Sequence, residues 1–249
     1  MPGVRGGAVR GGYIEVDLNL TLSVEETEAL APQEKMNGIE INDPTNEKHF
    51  VPLDKTGISD IEGKILSQYY RLIEFYVDWS SNSVTKMRND PRGRFQNSSF
   101  YFRQGISYSD TGIYSPMFRL SHGGVFDQKA SLIFSDYFSR EYLLGILCSK
   151  LVKYFVKIFI NHSVSAQVDS IKEIPIAIPN DNQKHSIENK VNEIIEHQRA
   201  DSSYDYVNEQ QELDSLIYQL YNLSEQQIQE VEDWYDRKYP KLRRDIDIE

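Results

Sequence analysis

The 249-residue sequence contains a single cysteine, Cys148. One cysteine rules out an intrachain disulfide framework, and it also rules out the paired cysteines of a structural zinc site. The first twelve residues include two arginines but no apolar segment, so we expect no secretion signal there. A reducing, cytoplasmic location is therefore the expectation from the sequence.

Long hydrophobic runs are also missing. The most apolar stretch, residues 142–160, is interrupted by Lys150, Lys153 and Lys157, and its longest uncharged run is eight residues. A membrane-spanning helix needs about 20 consecutive, mostly apolar residues. The sequence therefore predicts no membrane span.

Several catalytic motifs are absent. The chain has no Walker loop, no Gly-x-Gly-x-x-Gly, no His-Glu-x-x-His and no Gly-x-Ser-x-Gly. It also lacks the Asn/Asp-Pro-Pro-aromatic motif of DNA amino-methyltransferases. Asp54, followed by Glu62 and Lys64, loosely matches nucleases in which carboxylates hold Mg²⁺ and a lysine lies near the attacking water. Because the spacing is short and Glu62 is outside an apolar strand, a nuclease is the weakest functional hypothesis.

Charge is distributed unevenly along the chain. The net charge is -11, yet residues 64–160 carry 13 basic and 7 acidic side chains. The flanking segments 1–63 and 161–249 have net charges of -7 and -10. The overall charge argues against general nucleic-acid binding. The basic centre indicates a local anionic partner, unless the charge simply fluctuates along the chain.

The residue patterns indicate an α+β fold in which a β-rich middle precedes helices. Aromatic and β-branched residues, punctuated by glycines, predict short strands. These strands fall at residues 49–53, 73–79, 99–103, 113–120 and 125–126.

Helical periodicity begins after Ser139, where apolar residues recur at three- and four-residue spacing as far as Ile158. Further helices are predicted by apolar spacing and by Ser-x-x-Glu/Gln capping boxes. They lie at residues 24–30, 186–198, 213–221 and from Ser224 onward. Pro175 and Pro179 predict an extended segment over residues 174–179, because proline disfavours helix in the residue before it.

Six stretches of sequence follow one another in a recognisable order. They are residues 75–80, 101–109, 125–127, 143–150, 167–176 and 216–224. Together they resemble the target recognition domain of adenine-N6 DNA methyltransferases of the fused restriction–modification and phage-defence type. Type I restriction specificity subunits share the order of Leu-Leu-Gly-Ile-Leu-x-Ser-Lys, Ile-Pro-Ile-x-Ile-Pro and a long helix. Tyr108 stands where family members often carry tryptophan.

The resemblance implies an irregular β-rich target recognition domain followed by amphipathic α-helices. It divides the chain into a tail with a short helix (1–48), the DNA target recognition domain (49–180) and a C-terminal helical region (181–249). Family members carry a catalytic methyltransferase core ahead of this region, so the chain would be a specificity subunit or part of a longer protein. Its partners would be double-stranded DNA and that core, which would bind S-adenosylmethionine. No cofactor or metal is expected in this chain.

Two groups of basic and amide side chains are candidates for DNA contact. Lys86, Arg88, Arg92 and Arg94 occupy a loop-like run that could follow the phosphates, or could be a solvated loop. Three residues beside predicted strand ends are candidates for reading base edges, or for surface ion pairs: Arg103, Gln104 and Arg119.

A second candidate surface is the lysine stripe of the helix after Ser139. Lys150, Lys153 and Lys157 recur at helical spacing, and they would either face solvent or contact phosphates. Alternating aromatics of the middle segment, including Tyr101 and Tyr108, are expected to be core residues of a small sheet.

The C-terminal helices combine apolar stripes with acidic outer faces, so we assign part of their surface to a catalytic partner. The residues predicted to bind that partner are Ile187, Val191, Ile194, Leu216, Leu220 and Val231. The alternative function is an acidic protein-binding adaptor or inhibitor of such a complex.

We expect the purified chain neither to methylate nor to cleave DNA, because the catalytic motifs of both reactions are missing. The measurement is incubation with a labelled methyl donor, duplex DNA and Mg²⁺. Incorporation or cutting that survives repurification would contradict the prediction. Loss of cutting in Glu62→Ala would support the nuclease hypothesis instead.

Overall fold

The computed structural model describes residues 8–9, 50–54, 68–73, 76–91, 97–109, 116–126, 130–161 and 168–238. Within these ranges the chain folds into two small sheets followed by helices, which confirms the predicted α+β class. The predicted helix at residues 24–30 lies outside the described residues.

Four strands form an antiparallel sheet in the order β1-β7-β4-β5. The strands are β1 (Ala8–Val9), β4 (Ile106–Ser109), β5 (Phe118–Leu120) and β7 (Ala130–Ile133). Three further strands form a second sheet in the order β3-β2-β6, in which β2 pairs antiparallel with β3 and parallel with β6. They are β2 (Phe50–Asp54), β3 (Tyr76–Asp78) and β6 (Val125–Phe126).

Seven α-helices occur among the described residues. They are α1 (Ser81–Asn89), α2 (Arg140–Cys148), α3 (Lys150–Phe155), α4 (Val168–Lys172), α5 (Asp181–Ala200), α6 (Val207–Leu220) and α7 (Glu225–Lys238). Helix α3 continues into a π-helical segment, Val156–Ile160. No helix among the described residues has both the length and the apolar character to cross a bilayer.

The four-stranded sheet separates two apolar clusters, because successive side chains of a strand point to opposite faces. On β7, Ile133 belongs to a cluster shared with the helices, and Leu132 belongs to a cluster shared with the second sheet and α1. The helix-side cluster takes Ile106 and Tyr108 from β4. The expected burial of Tyr108 is confirmed.

The helix-side cluster crosses residue 180, the predicted domain boundary. Helix α2 packs against α5, and a Cβ atom added to Gly145 would lie 2.7 Å from Ile187 Cγ2. A larger residue there would force the Ile187 side chain or α5 to shift. One turn further along α2, the Cys148 thiol donates to Phe118 O of β5 at 3.4 Å. The helices and the four-stranded sheet therefore share one core, because the helix-side cluster contains residues of both.

Two local predictions were wrong. Residues 99–103 do not form a strand: a 3-10 turn, Ser98–Phe100, is followed by Phe102 in the left-handed region at φ 65°. The helix predicted after Ser139 is interrupted at Ser149, whose extended backbone ends α2 and whose hydroxyl caps α3 by accepting from Val152 N. Ile158, the last residue of the predicted apolar face, lies in the π-helical segment and is exposed.

Other local predictions are confirmed. Ser224 and Gln227 form the capping interactions that open α7. The segment 174–179 is not helical, as expected before Pro175 and Pro179, and Tyr142 and Tyr221 hold it by donating hydroxyl hydrogen bonds to Ala177 O and Pro175 O at 2.8 and 2.6 Å.

Because α5 supplies core residues to the sheet, Ile194→Ala should lower the free energy of unfolding by about 2–5 kcal/mol. Ile194 is fully buried, whereas Glu196 on the same helix is exposed. Glu196→Ala is therefore the matched control, with an expected change within about 0.5 kcal/mol. Urea unfolding followed by circular dichroism measures both. Equal, small effects would show that α5 is not part of the core.

Candidate nucleic-acid interface

Two loops of the β-rich region are joined into one surface, which we call the two-loop surface (residues 101–105 and 121–124). Phe102 N donates to Gly124 O at 2.8 Å, and Ser121 N donates to Gly105 O at 2.9 Å. Gly124 must be glycine here, since an added Cβ would lie 1.9 Å from Pro52 O. The backbone of one loop therefore positions the other.

The two-loop surface contains two left-handed backbone positions. Gly123 adopts φ 74° without penalty, whereas Phe102 adopts φ 65°, a conformation that bulky residues rarely take and that costs about 1–3 kcal/mol. The Phe102 ring is fixed edge-on to Trp79, with ring centroids 5.4 Å apart. This conformation turns the chain so that the next two residues, Arg103 and Gln104, are exposed.

Arg103 is held over aromatic rings. Its Cζ atom lies 5.2 Å from the Phe100 ring centroid and 4.8 Å from that of Phe134, which are distances of cation–π contacts. A stacked guanidinium keeps its N–H groups in its own plane and can still bind a phosphate or a base edge. Gln104 follows Arg103 on the same loop, and its Cγ lies 3.2 Å from where a Cβ of Gly123 on the other loop would be.

Helix α1 carries the first two residues of the predicted phosphate-binding run. Lys86 and Arg88 are exposed, while Ser83 and Met87 face the core. The loop prediction was wrong at these positions, because Ser80 caps the helix and Asp78 accepts from Ser83 Oγ at 2.6 Å. Trp79 connects α1 to the two-loop surface through Phe102.

Arg92 and Arg94 lie outside the described residues. The structure therefore neither supports nor contradicts their predicted contact with phosphates.

Arg119 is not a base-edge residue. Its relative exposure is 1%, because it lies on β5 opposite Ser107, on the face of the sheet that packs inward. Alternation along β5 buries the flanking Phe118 and Leu120 on the opposite face as well. The prediction was wrong because a strand covered on both faces has no solvent side.

Lys150 and Lys153 do not form a phosphate-facing stripe. Lys150 Nζ donates to Glu232 Oε2 of α7 at 2.6 Å, and its side chain is largely covered. Lys153 is 6% exposed and donates to Gln68 Oε1 at 3.1 Å. The break at Ser149 rotates α3 so that these lysines face the other helices.

Lys157, the third member of the stripe, is half-buried, and burial lowers its pKa. Lys157 lies in the π-helical segment, whose number of residues per turn differs from that of the α-helix. The α-helical spacing that predicted one continuous lysine face therefore does not apply there.

The side chains predicted to bind a partner are covered by other parts of the same chain. Ile187, Val191 and Ile194 are fully buried in the helix-side cluster, and Val231 is buried on α7. Leu216 and Leu220 are partly buried against the same cluster. The apolar stripes were read correctly as amphipathic, but Ile187 and Val191 approach Gly145 of α2, within the helix-side cluster.

Sequence reasoning missed His122, which lies between β5 and β6 on the two-loop surface. Its Nε2 is 2.7 Å from Arg71 O, and the Tyr70 ring meets it edge-on at 5.6 Å. The signal available in the sequence was its position between a strand and the pair Gly123-Gly124, where a tight turn is expected.

Burial lowers the pKa of His122, and the nearby Asp54 carboxylate opposes this effect. The positive charges of Arg119 and Arg71 lower the pKa further. The imidazole is therefore neutral at neutral pH.

Asp54, the first residue of the nuclease-like pattern, is buried and accepts from Ser121 Oγ at 2.7 Å. This hydrogen bond holds Ser121, the first residue of the loop 121–124. Glu62 and Lys64 lie outside the described residues. Among the described residues, no three side chains are grouped as metal ligands.

Comparison of the chain with known protein families and with curated proteins gave no match in either case.

The lysines of α3 surround one buried acid, Asp214 of α6. Its Oδ1 accepts from Lys150 N at 2.8 Å, at the start of α3. Burial nevertheless raises the pKa of Asp214 to about 6, because removal from water outweighs this hydrogen bond and the nearby lysine charges.

Asp214→Asn should therefore change how stability depends on pH. A folded-state pKa above the unfolded value means that stability is full below about pH 4 and falls as pH rises towards 6. A shift of roughly two units corresponds to about 3 kcal/mol. Relative to Asp214→Asn, the natural chain should lose about that much unfolding free energy between pH 4 and pH 7. Urea titrations at both pH values measure this difference, and parallel pH dependences would contradict it.

Proposed function

We propose that this chain is a DNA target recognition module or subunit that gives sequence specificity to an adenine-N6 DNA methyltransferase. The setting would be a cytoplasmic restriction–modification or phage-defence system. The catalytic core, with its S-adenosylmethionine, would be a separate subunit or another part of a longer protein. The sequence resemblance suggested this function, and one structural observation supports it best.

That observation is the two-loop surface. It holds a stacked arginine, Arg103, and an exposed amide, Gln104, side by side at the cost of a strained Phe102. Strain of this kind is most often retained at binding sites, because it positions side chains before the ligand arrives. Arginine pairs bidentately with guanine, and glutamine with adenine, in the major groove.

Helix α1 would supply the phosphate contacts. Lys86 and Arg88 are exposed on a helix that Trp79 links to the two-loop surface. Phosphate contacts set the register of a protein on DNA, and side chains at base edges then read the sequence. Lys150, Lys153 and Arg119 are left out of the proposed DNA contacts, because Lys153 and Arg119 are buried and Lys150 is bonded to Glu232.

A second candidate function is favoured by the charge of the helices. Residues 181–238 carry 14 acidic and 5 basic side chains. Such a surface repels DNA and suits the basic surface of a protein, which is the adaptor or inhibitor alternative. A DNA-binding module binds duplex DNA with a steep salt dependence, whereas an adaptor binds a methyltransferase core and no duplex at any salt concentration.

Replacing Lys86 and Arg88 with glutamine tests the proposal. If each contacts one phosphate, the slope of log K against log salt should flatten by about two units for all duplexes. Fluorescence anisotropy with random-sequence duplexes at several salt concentrations measures the slope. The matched control replaces Lys172 and Lys184, which removes the same charge from α4 and α5. Equal changes in the two variants would indicate a net-charge effect and would place DNA elsewhere.

A further inference from the structure

His122 is held in one orientation and one tautomer. Its Nε2 lies 2.7 Å from Arg71 O, and a carbonyl oxygen can only accept. The proton of the neutral ring therefore sits on Nε2, which leaves Nδ1 as an acceptor. The Tyr70 ring packs edge-on against the imidazole, and Arg199 in turn lies over Tyr70.

Nδ1 is the remaining acceptor of the ring. No hydrogen bond joins it to another described residue, and it is not one of their buried, unpaired atoms, so it has some contact with solvent. Of the groups near the ring, Asp54 is bonded to Ser121, Arg119 is buried in the sheet, and Arg71 provides the carbonyl oxygen that Nε2 contacts. The side chain itself is only partly exposed.

His122 lies beside Gln104 in the two-loop surface. Gly123, the next residue, approaches the Gln104 side chain, and Gly124 is bonded to Phe102 on the same loop as Gln104. In the major groove, only adenine N6 and cytosine N4 carry an amino group, whereas guanine and thymine present acceptors. A fixed acceptor in this place can therefore distinguish adenine and cytosine, which offer an amino group, from guanine and thymine, which do not.

We propose that His122 is a specificity-determining residue whose Nδ1 accepts a hydrogen bond from the exocyclic amino group of an adenine or cytosine in the major groove. This inference rests on the proposed function, because it needs duplex DNA on the two-loop surface.

The experiment begins with selection of preferred duplexes from a random library by the natural chain. In the selected site, each adenine is then replaced by purine, and each cytosine by 2-pyrimidinone, so that single amino groups are removed. At pH 7.5 one replacement should weaken binding about tenfold for the natural chain. The same replacement should leave binding by His122→Ala unchanged. The base whose replacement weakens binding identifies the amino group that His122 contacts.

Two variants act as controls. His185→Ala removes an exposed histidine of α5 whose Nδ1 bonds Asp181 O, and it should keep the full tenfold effect. His122→Gln retains an amide donor for Arg71 O and an acceptor oxygen. It should keep the amino-group preference that His122→Ala loses. The glutamine variant keeps the test informative even if His122→Ala fails to fold.

The possible failures are distinguishable. If the natural chain selects no motif and binds no duplex at low salt, the proposed function and this inference both fail. If it selects a motif, but every amino-group removal affects His122→Ala as much as the natural chain, only the role of His122 is overturned. Loss of the preference in His122→Gln, with folding intact, would also overturn it.

Discussion

The contact between α2 and α5 at Gly145 is the constraint on which the described structure depends. Helix α2 lies between the sheet, which it meets through Cys148 and Phe118, and the long helix α5. The absence of a side chain at Gly145 lets the two helices approach closely enough to bury Ile187 and Val191 completely. Without this approach, the apolar residues of α2 and α5 that meet here would be left partly uncovered.

Polar groups buried at the same junction restrict how the helices can pack. Tyr69 donates to Gln210 Oε1 at 2.6 Å, and Lys153 donates to Gln68 Oε1, so the segment before β3 is bonded to both α3 and α6. Asp214 is buried beside them, with one oxygen unpaired. Such groups destabilise any arrangement that fails to pair them, and here they favour one register of helices against sheet. The elevated pKa of Asp214 reflects this burial.

A rigid core of this kind is what allows a strained surface to persist. Phe102 remains in the left-handed region because its ring packs against Trp79 and its N–H is bonded to Gly124 O. The exposed side chains of the two-loop surface are thus supported by backbone contacts that cannot relax independently. In a DNA-binding role, this preorganisation would lower the entropy lost when Arg103 and Gln104 meet a base.

The sequence alone determined the fold class, most helices and the capping of α7, because hydrophobic periodicity and helix caps depend on residues that are only a few positions apart. It also identified the exposed Lys86, Arg88, Arg103 and Gln104. Only the tertiary structure decided which faces meet. Arg119 is buried because its strand is covered on both faces, and Lys150 and Lys153 turn inward because Ser149 breaks the helix. The apolar stripes of α5 and α6 were visible in the sequence, but whether they face a partner or the sheet depends on contacts between residues far apart in the chain.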